Sequence, residues 1–134
     1  MNIHDAEDNE HLSAEQLAVL RDKGTEVPYS GQYLNHSESG VYTCAACGTE
    51  LFQSDQKYES NQLSLRGWPS FADAAASGAI RLEADDSHGM RRTEVVCATC
   101  GGHLGHLFDD ESSPSGKHYC INSVCLGFSP KQKI

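Results

Sequence analysis

The sequence predicts a mostly antiparallel β domain with a helical N-terminal segment and a metal-pinned interior. Three observations carry that prediction. Short runs rich in β-branched and aromatic residues recur along the second half, separated by Asp, Gly, Ser and Pro turns. One capping-box pattern stands near the N-terminus. Two Cys-x-x-Cys-Gly units lie far apart in the chain.

Taken in order, residues 1–11 are polar and acidic and read as a flexible tail before a single domain spanning 12–134. Ser13-Ala14-Glu15-Gln16 is the capping box, opening a helix through Leu17, Leu20 and Arg21, with Gly24 as its stop. Turn-rich sequence runs from Thr25 to Gly40. Val41-Tyr42-Thr43 predicts a short strand entering Cys44. Residues 54–66 are polar and carry no clear pattern. Phe71 to Ala76 predicts a short helix. Ile80 and Leu82 alternate with Arg81 and Glu83, as a half-buried strand would. Thr93–Val96, Leu104–Phe108 and Tyr119–Phe128 have strand composition. Asp85–Gly89 and Asp109–Gly116 supply the intervening turns.

Bulk composition narrows the function. A chain of 134 residues suits one domain. The net charge of −9 argues against nucleic acid and anionic membranes, which recruit clustered Lys and Arg. No stretch approaches the ~20 apolar residues of a membrane span. The acidic N-terminus is not a secretory signal, so a reducing, cytoplasmic setting is expected. Six cysteines there point to metal ligation or catalysis rather than structural disulfides.

Cys44, Cys47, Cys97 and Cys100 form the two Cys-x-x-Cys-Gly units. Each pair can place two sulfurs on a tetrahedral zinc at ~2.3 Å, and four thiolates close the shell as in a structural site. The alternative, two redox dithiols, requires a βαβ context that the pattern lacks. Such a metal, worth roughly 10–16 kcal/mol in finger peptides, outweighs much of a domain's ~5–15 kcal/mol stability.

Cys120 and Cys125 remain. In a strand, Cys120 shares a face with His118 and Asn122, an arrangement that suits a nucleophile. A small buried hydrophobe is the competing reading. His103 and His106 can supply a proton near neutral pH, but a regular strand points them to opposite sides, so both reach one site only through a kink at Gly105. A second metal site or plain surface histidines are the alternatives. The lone tryptophan, Trp68, is either core or an exposed platform for an apolar methyl group.

Together these segments resemble the B-type methionine sulfoxide reductases, the SelR domain. The resemblance runs from about Leu12 to Phe128. It rests on Leu20–Glu26, Gly67-Trp68-Pro69-Ser70-Phe71, Arg92-Thr93-Glu94-Val95, His103-Leu104-Gly105-His106 with Phe108-Asp109-Asp110, and Tyr119-Cys120-Ile121-Asn122-Ser123. It implies two antiparallel sheets leaning together, the β-tent or Mss4-like fold, with structural zinc far from the active site. It implies reduction of the R epimer of methionine sulfoxide, in oxidised proteins or free. Cys120 would attack the sulfur, the protonated oxygen would leave as water, and a cysteine sulfenic acid would remain. His103, His106 and Asn122 would orient and protonate the oxygen. Trp68 would pack on the substrate methyl, with Phe108 lining the pocket. The expected partners are oxidised proteins and thioredoxin or another thiol reductant, acting on a monomer, in protein repair under oxidative stress.

This chain departs from the family pattern. Arg66 stands where many members carry a recycling cysteine, and residues 61–64 look inserted. His118 replaces a usual arginine beside the substrate, exchanging a fixed charge for one with a reference pKa of ~6.5. Cys125 replaces a usual serine and is the candidate resolving thiol, although five strand residues would hold it about 16 Å from Cys120. The rivals are a binding module on the same scaffold and a nucleic-acid-binding zinc ribbon, the latter opposed by the charge.

Overall fold

The computed structural model describes residues 2–76 and 78–131. Its one α-helix, α1 (Ala14–Leu20), begins where the capping box places it: the Ser13 hydroxyl accepts from Gln16 N–H, and the Gln16 side chain accepts from Ser13 N–H. The stop differs in detail. Lys23, not Gly24, takes the left-handed conformation at φ 62°. Gly24 is required for closeness instead, since a Cβ there would lie 2.8 Å from the Ala18 carbonyl oxygen.

Eight strands follow: β1 (Gly40–Cys44), β2 (Glu50–Gln53), β3 (Ser70–Phe71), β4 (Ile80–Asp85), β5 (Arg92–Cys97), β6 (His103–Asp109), β7 (Lys117–Ile121) and β8 (Leu126–Pro130). They form a three-stranded sheet, β2-β1-β8, and a five-stranded sheet, β3-β7-β6-β5-β4. All pairings are antiparallel. This is the mainly β, two-sheet architecture expected. Phe52 of the small sheet stacks on Phe71 of the large one at 4.5 Å between ring centroids, and Tyr42 meets Phe71 edge-on at 5.2 Å. Leu51, Leu104, Ile121 and Leu126 close the interior around them. No described helix is long and apolar enough to cross a membrane.

Several local expectations fail for physical reasons. Phe71–Ala76 is not a helix. Phe71 is fully buried in β3, paired with Tyr119, and the Ala72 N–H goes to Gln56 O instead of a helical neighbour. The run Tyr119–Phe128 is not one strand: β7 and β8 belong to different sheets, separated by a 3-10 turn at Ser123–Cys125. The expected five-residue strand spacing between Cys120 and Cys125 therefore does not exist. Nor do residues 2–11 trail loosely, since Ile3 is buried and its N–H donates to Cys100 O at 2.8 Å. Ile3 thereby lies against the second Cys-x-x-Cys loop. The expected domain end at residue 134 lies outside the described residues.

Candidate active site and metal centre

The candidate metal centre, a cluster of four cysteines, joins the two sheets. Cys44 ends β1 and Cys97 ends β5, so each cysteine pair sits in the turn leaving one sheet. Gly48 and Gly101, at φ 80° and 79°, allow both loops to curl back. All four sulfurs lie within 4.8 Å of one another, with Cys44–Cys100 at 3.7 Å and Cys47–Cys97 at 3.5 Å. Sulfurs at ~2.3 Å from one tetrahedral ion stand about 3.8 Å apart, so the donor set fits zinc without rearrangement. Within the cluster Cys44 is pushed far above the usual thiol range, first by its hydrogen bonds with Cys100 and Cys97, while Cys97 is pulled far below it, first by its hydrogen bonds with Cys100 and Cys44. A divalent cation would supply the positive charge that lets all four ligate as thiolates.

The second site lies on the face of the large sheet turned away from the small one. Register builds it: Ser70 pairs with Cys120, Cys120 with His106, and His106 with Glu94. Residues so paired share a face. A β-bulge solves the histidine problem. Val95 opposes Gly105 but Val96 opposes His103, leaving Leu104 as the extra residue. His103 and His106 are thereby brought to 5.3 Å between ring centroids. The kink is thus next to Gly105, whose own constraint is crowding: a Cβ there would lie 2.0 Å from the Cys120 carbonyl oxygen.

Each imidazole is held by a carboxylate that sequence reasoning did not assign. His103 Nδ1–H donates to Glu94 Oε2 at 2.7 Å, and Lys23 Nζ stands 3.4 Å from the same carboxylate's other oxygen. The far nitrogen, His103 Nε2, is buried with no partner among the described residues. His106 Nε2–H donates to Asp85 Oδ2 at 2.7 Å. The Asp85 carboxyl is held well below the usual carboxylate range by hydrogen bonds from Ser87 and then His106. Glu94 stands in a motif already singled out; Asp85 was visible only as the start of a turn.

Cys120 is half-buried, and burial, then the nearby Glu26 carboxyl, pushes its thiol up to about 12. Asn122 is buried; its Oδ1 accepts from Glu26 N–H and its Nδ2 donates to Leu104 O, both at 3.0 Å. Trp68 is half-buried, with its indole N–H on the Glu26 carbonyl at 3.1 Å. Phe108 packs beside both His106 and His118.

His118 is fully buried and so offers no surface to a bound molecule. Its Nδ1–H donates to Asp110 at 3.1 Å and its Nε2 lies 2.7 Å from Ser70 Oγ. Burial lowers its pKa below the ordinary histidine value, although Asp110 pulls the other way. Burial likewise pushes the Asp110 carboxyl up, but hydrogen bonds from Ser112, Ser60 and Tyr58 outweigh it and hold the group low. The network thus carries its negative charge on Asp110 and leaves His118 neutral near pH 7.

Cys125 is wholly buried, and its Sγ lies 3.2 Å from the His103 carbonyl oxygen. Arg66, at the recycling position, donates from Nε to Ser60 O at 2.6 Å and stands 3.5 Å from Glu59. It lines a cleft of about 700 Å³ that shares Trp68 with the site but does not include Cys120.

A model of the SelR domain matches residues 12–130. The chain is 54% identical over 121 residues to "Peptide methionine sulfoxide reductase MsrB" of Methanosarcina mazei, covering 90% of this chain and 84% of that one. It is 47% identical over 128 residues to the protein of the same name from Leptospira interrogans, covering 96% and 95%. It is also 47% identical over 119 residues to "Methionine-R-sulfoxide reductase B3, mitochondrial" of Mus musculus, covering 89% of this chain and 46% of that one. In structure it is similar to the Mis18 "Yippee-like" domain, with a TM-score of 0.54 at 18% identity over 72% of this chain and all of that one, a likeness of fold alone. Across nearly its whole length, the chain belongs to the SelR family, the B-type peptide methionine sulfoxide reductases.

Proposed function

We propose that this protein reduces the R epimer of methionine sulfoxide, in oxidised proteins and as the free amino acid, with Cys120 as nucleophile. The cross-strand pairing of Cys120 with His106, beside a second carboxylate-held histidine, is the observation that carries the reading. A sulfoxide sulfur becomes electrophilic when its oxygen receives a proton. In the resting site the Cys120 proton stays on sulfur, because the thiol sits at about 12. Substrate binding therefore has to couple two transfers: Cys120 sulfur bonds to the sulfoxide sulfur as its proton passes, through His106, to the oxygen. The sulfur–oxygen bond then breaks as a second proton reaches the oxygen, which leaves as water. A water oxygen adds to Cys120 sulfur as the sulfur–sulfur bond breaks; methionine leaves with that electron pair, the water gives up a proton, and a cysteine sulfenic acid remains. His103, buried, held by Glu94 and edge-on to His106 at 5.3 Å, orients that imidazole toward the oxygen. Trp68 and Phe108 provide the apolar wall for the methyl group. Asn122 acts by fixing the backbone of β6 through Leu104.

The sulfenic acid is reduced by two equivalents of an external thiol such as thioredoxin, which yields the free thiol, a disulfide and water. Full burial of Cys125 and its contact with the His103 carbonyl oppose a direct role as resolving thiol. Cys44, Cys47, Cys97 and Cys100 hold one structural zinc, which supplies a closed four-thiolate anchor and takes no part in the chemistry. The reading is tested with racemic methionine sulfoxide and dithiothreitol. Consumption should stop at half, and Cys120→Ser should consume none; consumption of both epimers, or an active serine variant, contradicts it.

A further inference from the structure

Glu26 lies on the arm between α1 and β1, far in sequence from every group proposed for the chemistry. It nonetheless touches two of them through its backbone. Its N–H donates to Asn122 Oδ1 at 3.0 Å, and its carbonyl accepts from the Trp68 indole at 3.1 Å. Its carboxyl Oε1 accepts from Val124 N–H at 2.9 Å, just after the strand that carries Cys120. The side chain is 5% exposed.

The seat for this carboxyl is cut to shape. A Cβ on Gly31 would lie 2.2 Å from Ser123 Oγ and 2.6 Å from Glu26 Oε2, so only glycine leaves room. Both of those oxygens are buried. Burial raises the carboxyl above its ordinary range, and the Val124 and Ser123 N–H groups and the Ser123 hydroxyl pull the other way. The Ser123 hydroxyl can donate to a carboxyl oxygen or accept from an amide in its place. The same arm is pinned to the turn before Trp68 by Tyr29 N–H on Gly67 O at 2.8 Å.

We infer that Glu26 is the positioning residue that sets the distance between the Trp68 wall and Asn122. Its side chain locks the arm to Val124, and its two backbone groups then hold the indole and the amide in place on the thiol's flank. The inference rests on the proposed reductase activity for its kinetic consequence only. The structural consequence is independent of it, because Trp68 is the only tryptophan and reports its own surroundings by fluorescence.

The test compares Glu26→Ala, Glu26→Gln and Gly31→Ala, each with its metal retained, on racemic N-acetylmethionine sulfoxide with dithiothreitol. Glu26→Ala and Gly31→Ala should red-shift the Trp68 emission and increase its quenching by acrylamide. Both should raise KM and lower kcat, so that kcat/KM falls about 10- to 100-fold, the scale of a misplacement near 1 Å. Glu26→Gln keeps the acceptor for Val124 and a donor for Ser123; it should match the parent in emission and keep a kcat/KM no lower than the parent's. Two results overturn the inference: unchanged emission and kcat/KM in folded Glu26→Ala or Gly31→Ala, which would leave Glu26 a stability residue only, or a Glu26→Gln variant as impaired as alanine, which would make charge the operative property. Should Glu26→Ala not fold, Gly31→Ala and Glu26→Gln decide alone. A parent protein without reductase activity would refute the proposed function, while the emission and quenching comparison would still decide the role of Glu26.

Discussion

At the scale of single residues, the thiol and its neighbours are governed by burial. Cys120, raised to about 12, is a poor nucleophile until substrate arrives. Its alkylation by iodoacetamide, followed by peptide mass mapping, should be slow at pH 7 and still climbing at about pH 10. A plateau near neutral pH would show a preformed thiolate. The His118–Asp110 pair has the opposite bearing on acid. Both groups are held below their ordinary pKa, so each stabilises the fold above its ordinary value and loses that contribution as pH falls through the folded one. Stability should therefore decline from about pH 6.5 downward. His118→Ala should cost about 1–3 kcal/mol in urea unfolding, because it empties a fully buried site and removes one buried hydrogen bond each from Asp110 and Ser70. The sequence made Cys120 and both histidines legible because their residue types announce chemistry. Glu26 and Asp85 were not legible as site residues, since their partners Trp68, Asn122 and His106 are distant in sequence. The charge expected from His118 was misjudged because its complete burial is a tertiary property.

At the scale of elements, the bulge at Leu104 turns a strand with histidines on opposite faces into one that presents both together. It depends on β6 and β7 approaching closely at Gly105. Gly105→Ala should therefore cost about 3 kcal/mol or more by chemical denaturation, and should impair reduction in whatever protein remains folded. A variant as stable and active as the parent would remove the close approach from the account. Strands β1 and β4 to β7 were readable from alternation and turn residues. Phe71–Ala76 misled because small alanines favour a helix locally, whereas stacking of Phe71 on Phe52 decides the structure. Tyr119–Phe128 misled because both halves have strand composition, and only the small sheet's need for a third strand separates them.

At the scale of the whole molecule, a four-cysteine cluster ties the two sheets at one place while the proposed chemistry occupies the outer face of the larger sheet. The N-terminal segment seals the cluster through Ile3. Removal of the proposed zinc with a strong chelator should leave four packed thiols, three of them buried, without their common partner, and cooperative unfolding should follow; circular dichroism reads it, and a native spectrum in metal-free protein would contradict the anchor role. One turnover should leave its oxidation on a single thiol. Protein incubated with the R sulfoxide and no reductant, then treated with dimedone, should yield one methionine per chain and one adduct, on Cys120. An adduct on another cysteine, or methionine formed with Cys120 still a free thiol, would contradict it.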